Sequence, residues 1–277
     1  MNVARAPAYA KINLGLVVGP RRFDGKHEIA TVLERVDLHD VIQLERVEQE
    51  ETVVDGFIED TLVRRALELF AEATGSPPGW HAHIKKRIPV ASGLGGGSSD
   101  AATALRLANE LSGEPLSVDA LHELATAIGS DVPFFLTPGA KLASGDGTAL
   151  DPVQLPREHW VVLALPNDAR KESTRAVYQS HDTSSATEFE DRRDVLEQAL
   201  GTVDDSRGLA RLPLNELVPV PDALAHALEA AGAFRVDTSG AGPTVYGLFE
   251  RGDDARQAER ALRRDASTWL VRPFPGP

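Results

Sequence analysis

The chain has 277 residues, 42% hydrophobic and 26% charged, with a formal net charge of -13 and no cysteine. That length can bury a sizeable core spread over two modest domains. The acidic balance argues against a nucleic-acid partner, because phosphate backbones need a basic face, and the lack of cysteine removes disulfides, thiol catalysis and thiolate-bound metal.

Residues 10–18 alternate, Ala10, Ile12, Leu14 and Leu16 on one face and Lys11, Asn13, Gly15 and Val17 on the other, which predicts a strand. Lys11 and Asn13 then share a face, ~7 Å apart. No apolar run reaches membrane-spanning length, and the N-terminal stretch lacks a signal-peptide pattern, so the expectation is a cytoplasmic protein with no membrane partner. Gly25-Lys26-His27-Glu28 follows a turn, and 41–47 and 80–84 predict two further strands. Residues 61–74 predict an amphipathic helix with Leu62, Ala66, Leu69 and Phe70 inward, closed by Gly75 and the Pro77-Pro78 stop. A helical pattern at 101–111 and another at 118–128 come next; the second ends at Gly129 and leaves Asp131 in a loop bounded by Pro133.

The second half has a different rhythm. A buried strand is expected at 160–165 and helices at 191–200 and 222–231, the latter capped by Asp222. Strands at 234–237 and 244–249, a helix at 253–264 and a strand at 268–272 complete the chain. With one helical insertion set aside, this β-α-β-β-α-β order is the split βαβ, ferredoxin-like arrangement. Residues 178–187 and 201–208 read as loops, and Pro152 and Pro156 suggest domains at 1–153 and 154–277.

The most informative run is Pro89-Val90-Ala91-Ser92-Gly93-Leu94-Gly95-Gly96-Gly97-Ser98-Ser99, which leads into the 101–111 helix. Glycine lets backbone N–H groups approach a ligand closely, and a helix start offers unpaired donors and partial positive charge. The pair makes a phosphate site, most simply for a nucleotide. No Gly-Lys-Ser/Thr follows, so it is not a Walker A loop. Nor does it fit the dinucleotide fingerprint, since Asp119 has the right separation but opens a helix-like segment. Which nucleotide binds is left open by the loop itself. With the net charge against it, an anion must be held by a few local cations and main-chain amides. Lysine occurs only at 11, 26, 85, 86, 141 and 171, which makes each one worth inspecting.

Taken in order, Ala10-Lys11-Ile12-Asn13-Leu14, Asp24-Gly25-Lys26-His27, the Gly-rich run, Gly129-Ser130-Asp131-Val132-Pro133-Phe134-Phe135 and Ser239-Gly240-Ala241-Gly242-Pro243 resemble the GHMP kinases. The resemblance runs from residue 8 to about 249. It implies an α+β, two-domain fold: an N-terminal domain similar to the second domain of ribosomal protein S5 and a ferredoxin-like C-terminal domain, with the active site in the cleft between them. Residues 89–99 would wrap the ATP phosphates, and Ser239, Gly240 and Gly242 would support that loop. Lys11 with Asn13 and the 129–135 segment narrow the likeness to kinases of the non-mevalonate isoprenoid route. The implied reaction is then transfer of the γ-phosphoryl of Mg2+-ATP to the 2-hydroxyl of diphosphocytidyl methylerythritol.

Lys11 and Asp131 are the implied catalytic pair. Asp131 would orient the acceptor hydroxyl and take its proton late, since a loose transition state needs little early proton removal, while Lys11 counters charge on the phosphate. Substrate contacts would come from Asn13, Lys26, His27, Thr174 and Tyr178, with His27 on the cytosine edge and Tyr178 stacked on the base. One departure stands out: the family places an aromatic, commonly Tyr, before this histidine, and here it is Lys26. A cation–π contact or a reach to the diphosphate would let Lys26 partly replace the ring. The rival functions are a GHMP kinase for another alcohol, mevalonate or homoserine in type, and a non-catalytic ligand sensor of the same fold. The chain is expected as a monomer or weak homodimer.

The remaining candidates have plainer readings. His81 and His83 alternate on a strand with no third ligand in view, so no metal site is expected there. His39, His122, His159, His181 and His226 read as surface or helix residues, and Lys85, Lys86 and Arg87 as a solvated face or local positive potential.

Overall fold

In the computed structural model, residues 2–48, 51–75, 79–169, 174–181 and 185–276 are described. Two compact units can be delimited, and neither is one stretch of chain: the first is 1–10, 38–90 and 95–138, the second 11–37, 91–94 and 139–277. The boundary at 153/154 falls inside the second. Strands β1 (Val3–Arg21) and β2 (His27–Arg46) each run from one unit into the other. Both are far longer than the strands expected at 10–18 and 41–47, because half of each lacks clean alternation.

In the first unit, β3 (Val53–Asp55) lies parallel to β4 (Trp80–Lys85), which pairs antiparallel with β2 from Val41↔Lys85 to Arg46↔Trp80. Helices α1 (Leu62–Thr74), α2 (Gly96–Leu111) and α3 (Val118–Ile128) complete it. Val63, Leu67 and Phe70 of α1 pack with Leu105 of α2 and with Ile42, Leu44 and Trp80 of the strands. Phe70 and Trp80 meet edge-on, 6.2 Å between centroids. Each such side chain removed from water contributes about 1.5–3 kcal/mol. Thr61 makes no side-chain cap for α1; the Asp60 carboxylate instead accepts from the N–H groups of Val63 and Arg64. The Pro77-Pro78 stop lies outside the described residues.

In the second unit, the hairpin β5 (Ala140–Gly145) and β6 (Ala149–Val153) joins β2 antiparallel, Ile29↔Gly145 to Leu33↔Lys141. Then come β7 (Trp160–Pro166), α4 (Thr174–Ser180), α5 (Ala186–Leu200), α6 (Asp222–Ala230), β8 (Arg235–Thr238), β9 (Val245–Phe249), α7 (Gly252–Leu262) and β10 (Ala266–Val271). The sheet order β10-β7-β9-β8, antiparallel throughout, is the ferredoxin-like order expected from the sequence. Leu224, Leu228, Ala255, Ala258 and Leu262 of α6 and α7 cover Val162, Ala164, Val245 and Phe249.

Three local expectations are corrected. The segment 178–187 is not a loop throughout: Tyr178 lies in α4, and α5 begins at Ala186 behind a capping box in which Ser185 and Glu188 satisfy each other's N–H groups. Residues 206–211 form a short 3-10 helix, not loop. Asp222 is the first residue of α6, with Pro221 in the capping position, so its carboxylate acts on the helix end as a charge. Among the described residues, no helix is long and apolar enough to cross a membrane.

Candidate active site

Lys11 and Asn13 sit on β1 in the second unit, each only 4% exposed. Alternation puts both on one face, and Lys11 Nζ donates to Asn13 Oδ1 at 2.6 Å. The amide orientation is fixed by its other end. Thr31 Oγ1 donates to the Gly15 carbonyl at 2.6 Å, so it must accept from Asn13, and Asn13 Nδ2 donates to it at 2.8 Å. The main chain here is pinned as well. Lys11 N–H donates to the Leu94 carbonyl at 3.0 Å, and the Tyr246 hydroxyl donates to the Asn13 carbonyl at 3.0 Å. Tyr246 in turn accepts from Arg235, which pairs with Asp237 at 2.8 Å.

Two turns close on this pair. Residues 91–94 of the Gly-rich run belong to the same unit. Gly93, with φ +79°, lies so close to the 239–243 turn that a Cβ would stand 2.2 Å from the Ser239 carbonyl oxygen. Only glycine fits there. Ser239 Oγ donates to the Gly93 carbonyl at 3.0 Å, and Thr244 N–H to the Ser92 carbonyl at 3.2 Å. A Cβ on Gly240 would sit 3.0 Å from Lys11 Nζ and 3.1 Å from Asn13 Oδ1. The turn is tied from behind by Asn215, whose Nδ2 donates to the carbonyls of Thr238 (2.8 Å) and Gly240 (2.7 Å). Asn215 and Tyr246 were not singled out from sequence. The signal for Asn215 was a lone amide in Leu212-Pro213-Leu214-Asn215, which has to find partners if buried.

The rest of the Gly-rich run belongs to the first unit. Helix α2 begins at Gly96 behind Gly95, five residues before the expected start. Apolar periodicity could not reveal a first turn made of glycine and serine. That turn holds no acidic residue, so the positive helix end is left for an anion. Beneath it, Lys86 contacts the carboxylates of Asp40 and Asp100, and Asp40 also accepts from the N–H groups of Arg87 and Ile88. This places Lys86 in an ion cluster rather than on a solvated face. Burial, and then the charge of Asp40, push the Asp100 carboxyl up to about 8. Asp131 is half-buried in the turn between α3 and the single 3-10 turn Pro133–Leu136.

His27 and Tyr178 are brought together in the second unit, ring centroids 5.8 Å apart and planes tilted by 39°. His27 Nδ1 lies 3.0 Å from the Gly19 carbonyl, which can only accept. The ring proton is therefore on Nδ1, and in the neutral ring Nε2 is an acceptor. Thr174 and Tyr178 are four apart on α4 and share a face. Lys26 Nζ pairs with Asp146 of the β5–β6 turn at 2.6 Å.

Residues 61–139 match the model of the GHMP kinases N terminal domain, and residues 192–267 that of the GHMP kinases C terminal domain. The chain belongs to the GHMP kinases. Over 95% of its length this GHMP kinase is 38% identical to the 4-diphosphocytidyl-2-C-methyl-D-erythritol kinase of Symbiobacterium thermophilum, 97% of which is covered. A crystal structure of 4-(cytidine 5'-diphospho)-2C-methyl-D-erythritol kinase is 32% identical, with a TM-score of 0.80 over 99% of this chain and 100% of that one. A homoserine kinase from Cytophaga hutchinsonii shares the fold alone, at 15% identity and a TM-score of 0.76 over 100% and 96% of the two chains.

Three other histidines of this GHMP kinase, His81, His83 and His159, have distinct settings. His81 and His83 both contact the Asp55 carboxylate, and among the described residues no group of three or more such side chains is arranged to hold a metal ion. His159 is not a surface residue as expected: it is fully buried, edge-on to Phe234 and 3.5 Å from the Glu34 carboxylate.

Proposed function

We propose that this GHMP kinase transfers the γ-phosphoryl group of ATP to the 2-hydroxyl of 4-diphosphocytidyl-2-C-methyl-D-erythritol, a step of isoprenoid precursor biosynthesis carried out in the cytoplasm. The observation that carries the reading is identity sustained over 95% of the chain with a kinase of that name.

Lys11 and Asp131 carry the chemistry. The Lys11 ammonium, held against Asn13, counters charge on the transferred phosphoryl group. Asp131 orients the acceptor hydroxyl and receives its proton late, as a loose transition state requires. The main-chain N–H groups of 89–99 and the start of α2 hold the nucleotide phosphates, with Ser239, Gly240 and Gly242 supporting the loop. The hydroxyl of Ser98 or of Ser99 at the head of α2 is a hard oxygen donor that would suit Mg2+. When bound there, Mg2+ would supply neutralisation of nucleotide phosphate charge.

His27 and Tyr178 hold the cytosine, Tyr178 by stacking and His27 through Nε2, which can accept from the exocyclic amine. Asn13, Lys26 and Thr174 complete the acceptor contacts. The test is coupled ADP release with the diphosphocytidyl acceptor set against mevalonate and homoserine. Turnover confined to the first supports the reading; turnover confined to either of the others ends it.

A further inference from the structure

Lys141 is one of the lysines with no place in the chemistry above. Lys141, on β5, is only 7% exposed, yet no hydrogen bond or ion pair holds its ammonium among the described residues. A buried charge without a partner is costly, and the usual remedy is a carboxylate alongside. The carboxylate of Glu34 on the neighbouring strand is not that remedy. It lies on the opposite face by alternation, 3.5 Å from His159. The charged neighbour that acts on Lys141 is another cation, Arg35, itself 2% exposed. Burial, and then Arg35, lower the Lys141 pKa from its ordinary value.

The strand register says which way Lys141 faces. Lys141 is directly opposite Leu33, and Ala143 directly opposite Thr31, so these four side chains share one face. Thr31 receives the hydrogen bond from Asn13, which receives that of Lys11. Lys11, Asn13, Thr31 and Lys141 therefore lie on one face of β1, β2 and β5, all within the second unit. Two strand spacings separate β1 from β5, roughly 10 Å. Two lysine side chains extended from opposite ends of that span can meet one polyanion.

We propose that Lys141 is a second phosphate-binding cation of the kinase, sharing with Lys11 the face on which a phosphoryl-bearing ligand is held. The inference rests on the kinase reading above and extends it. It also answers how an anion is bound by a chain of net charge -13: two lysines of one sheet face supply local positive charge against the overall balance. The ligand chemistry is a phosphate ester or anhydride, met either as the nucleotide triphosphate or as the diphosphate of the acceptor.

The experiment compares wild type with Lys141→Met, which keeps the length and removes the charge. Steady-state kinetics are run with each substrate varied, alongside calorimetric titration of ADP and of tripolyphosphate and a thermal melt. The expected result is a 10- to 100-fold fall in kcat/KM, with the melting temperature unchanged or raised because an unpaired buried charge is gone. A rise in KM for ATP with weaker tripolyphosphate binding assigns Lys141 to the nucleotide. A rise confined to the KM of the diphosphocytidyl acceptor assigns it to that diphosphate. Unchanged kinetics and binding overturn the inference, whatever happens to the melt. Should Lys141→Met fail to fold, Lys141→Gln is measured in the same way. Wild type that turns over a different alcohol would sink the acceptor assignment, while the tripolyphosphate titration would still decide the role of Lys141.

Discussion

Gly240 packs against Lys11 so closely that a single added carbon would stand 3.0 Å from the lysine nitrogen. It also holds φ at +55°, a conformation that side-chain-bearing residues adopt at a cost of about 1–2 kcal/mol. Gly240→Ala should therefore both strain the turn and push the ammonium off Asn13. Displacements of about 1 Å in a catalytic group cost up to ~100-fold in rate. The expected outcome is a 10- to 100-fold loss in kcat with a small drop in melting temperature, read by coupled ADP release and a thermal melt. Wild-type turnover would show that Lys11 does not need this contact.

Asp131→Asn keeps the size of the side chain and removes its capacity to take a proton. Turnover should fall by ~10²–10⁴-fold, with nucleotide affinity nearly unchanged. Single-turnover phosphorylation and ADP titration separate the two effects. A variant that phosphorylates at the wild-type rate would remove Asp131 from the chemistry.

Asp100 gives the fold a pH dependence. Its carboxyl keeps a proton up to about 8 when folded, whereas an unfolded Asp gives it up near ~3.9. Between those values the folded chain binds more protons, so this contribution is full below about pH 4 and is lost as the pH rises through about 8. Asp100→Asn mimics the protonated group and should flatten the decline. Urea melts at pH 5 and pH 8.5 provide the check, and an unaltered pH dependence would count against the assignment.

Lys26→Tyr exchanges an ion pair for a ring. The Lys26 side chain is 46% exposed, so its pairing with Asp146 is worth about 0–1 kcal/mol and its loss should scarcely change stability. A ring facing the cytosine would add about 1–3 kcal/mol of stacking. The Michaelis constant for the acceptor should stay level or fall. A large rise would mean that Lys26 makes a contact of its own with the substrate.

Arg235→Met tests what holds Asn13 in place. Arg235 donates to Asp237, to Tyr246 and to the carbonyls of Leu209, Leu212 and Pro213. Its removal leaves the Asp237 carboxylate buried without its partner, at a cost of about 3–5 kcal/mol. Tyr246→Phe, which loses the bond to Asn13 and the one accepted from Arg235 but leaves the Arg235–Asp237 pair intact, should cost less, about 1–3 kcal/mol. The urea midpoints of the two variants should differ accordingly.

Much of this architecture was legible in the sequence wherever burial imposed a period. The α3 helix, the four strands of the ferredoxin-like sheet and the helices α6 and α7 emerged within a few residues of their observed bounds, whereas α4 was not foreseen. The misses have two different sources. The hairpin of β5 and β6 was passed over although Ser144-Gly145-Asp146-Gly147 is a turn signal between its strands. The start of α5 is set by hydrogen bonds of Ser185 and Glu188, which leave no hydrophobic trace. At the site, motif residues could be named in advance because glycine and charged residues are conspicuous. Asn215, Tyr246 and Thr31 could not, because their work is to satisfy main-chain groups of segments remote in sequence.

The ammonium at position 11 is located by the Asn13 amide, itself fixed by Thr31, and by the close-set Gly240, on a strand whose main chain is tied to the Leu94 carbonyl. The rings of His27 and Tyr178 hang on other segments, with the imidazole tethered to Gly19. On the proposed reading, phosphoryl transfer and base recognition thus fall to different side chains, carried on the neighbouring strands β1 and β2 and on α4. A scaffold so divided would let one alcohol be traded for another by exchanging the ring-bearing residues while Lys11 stays as it is.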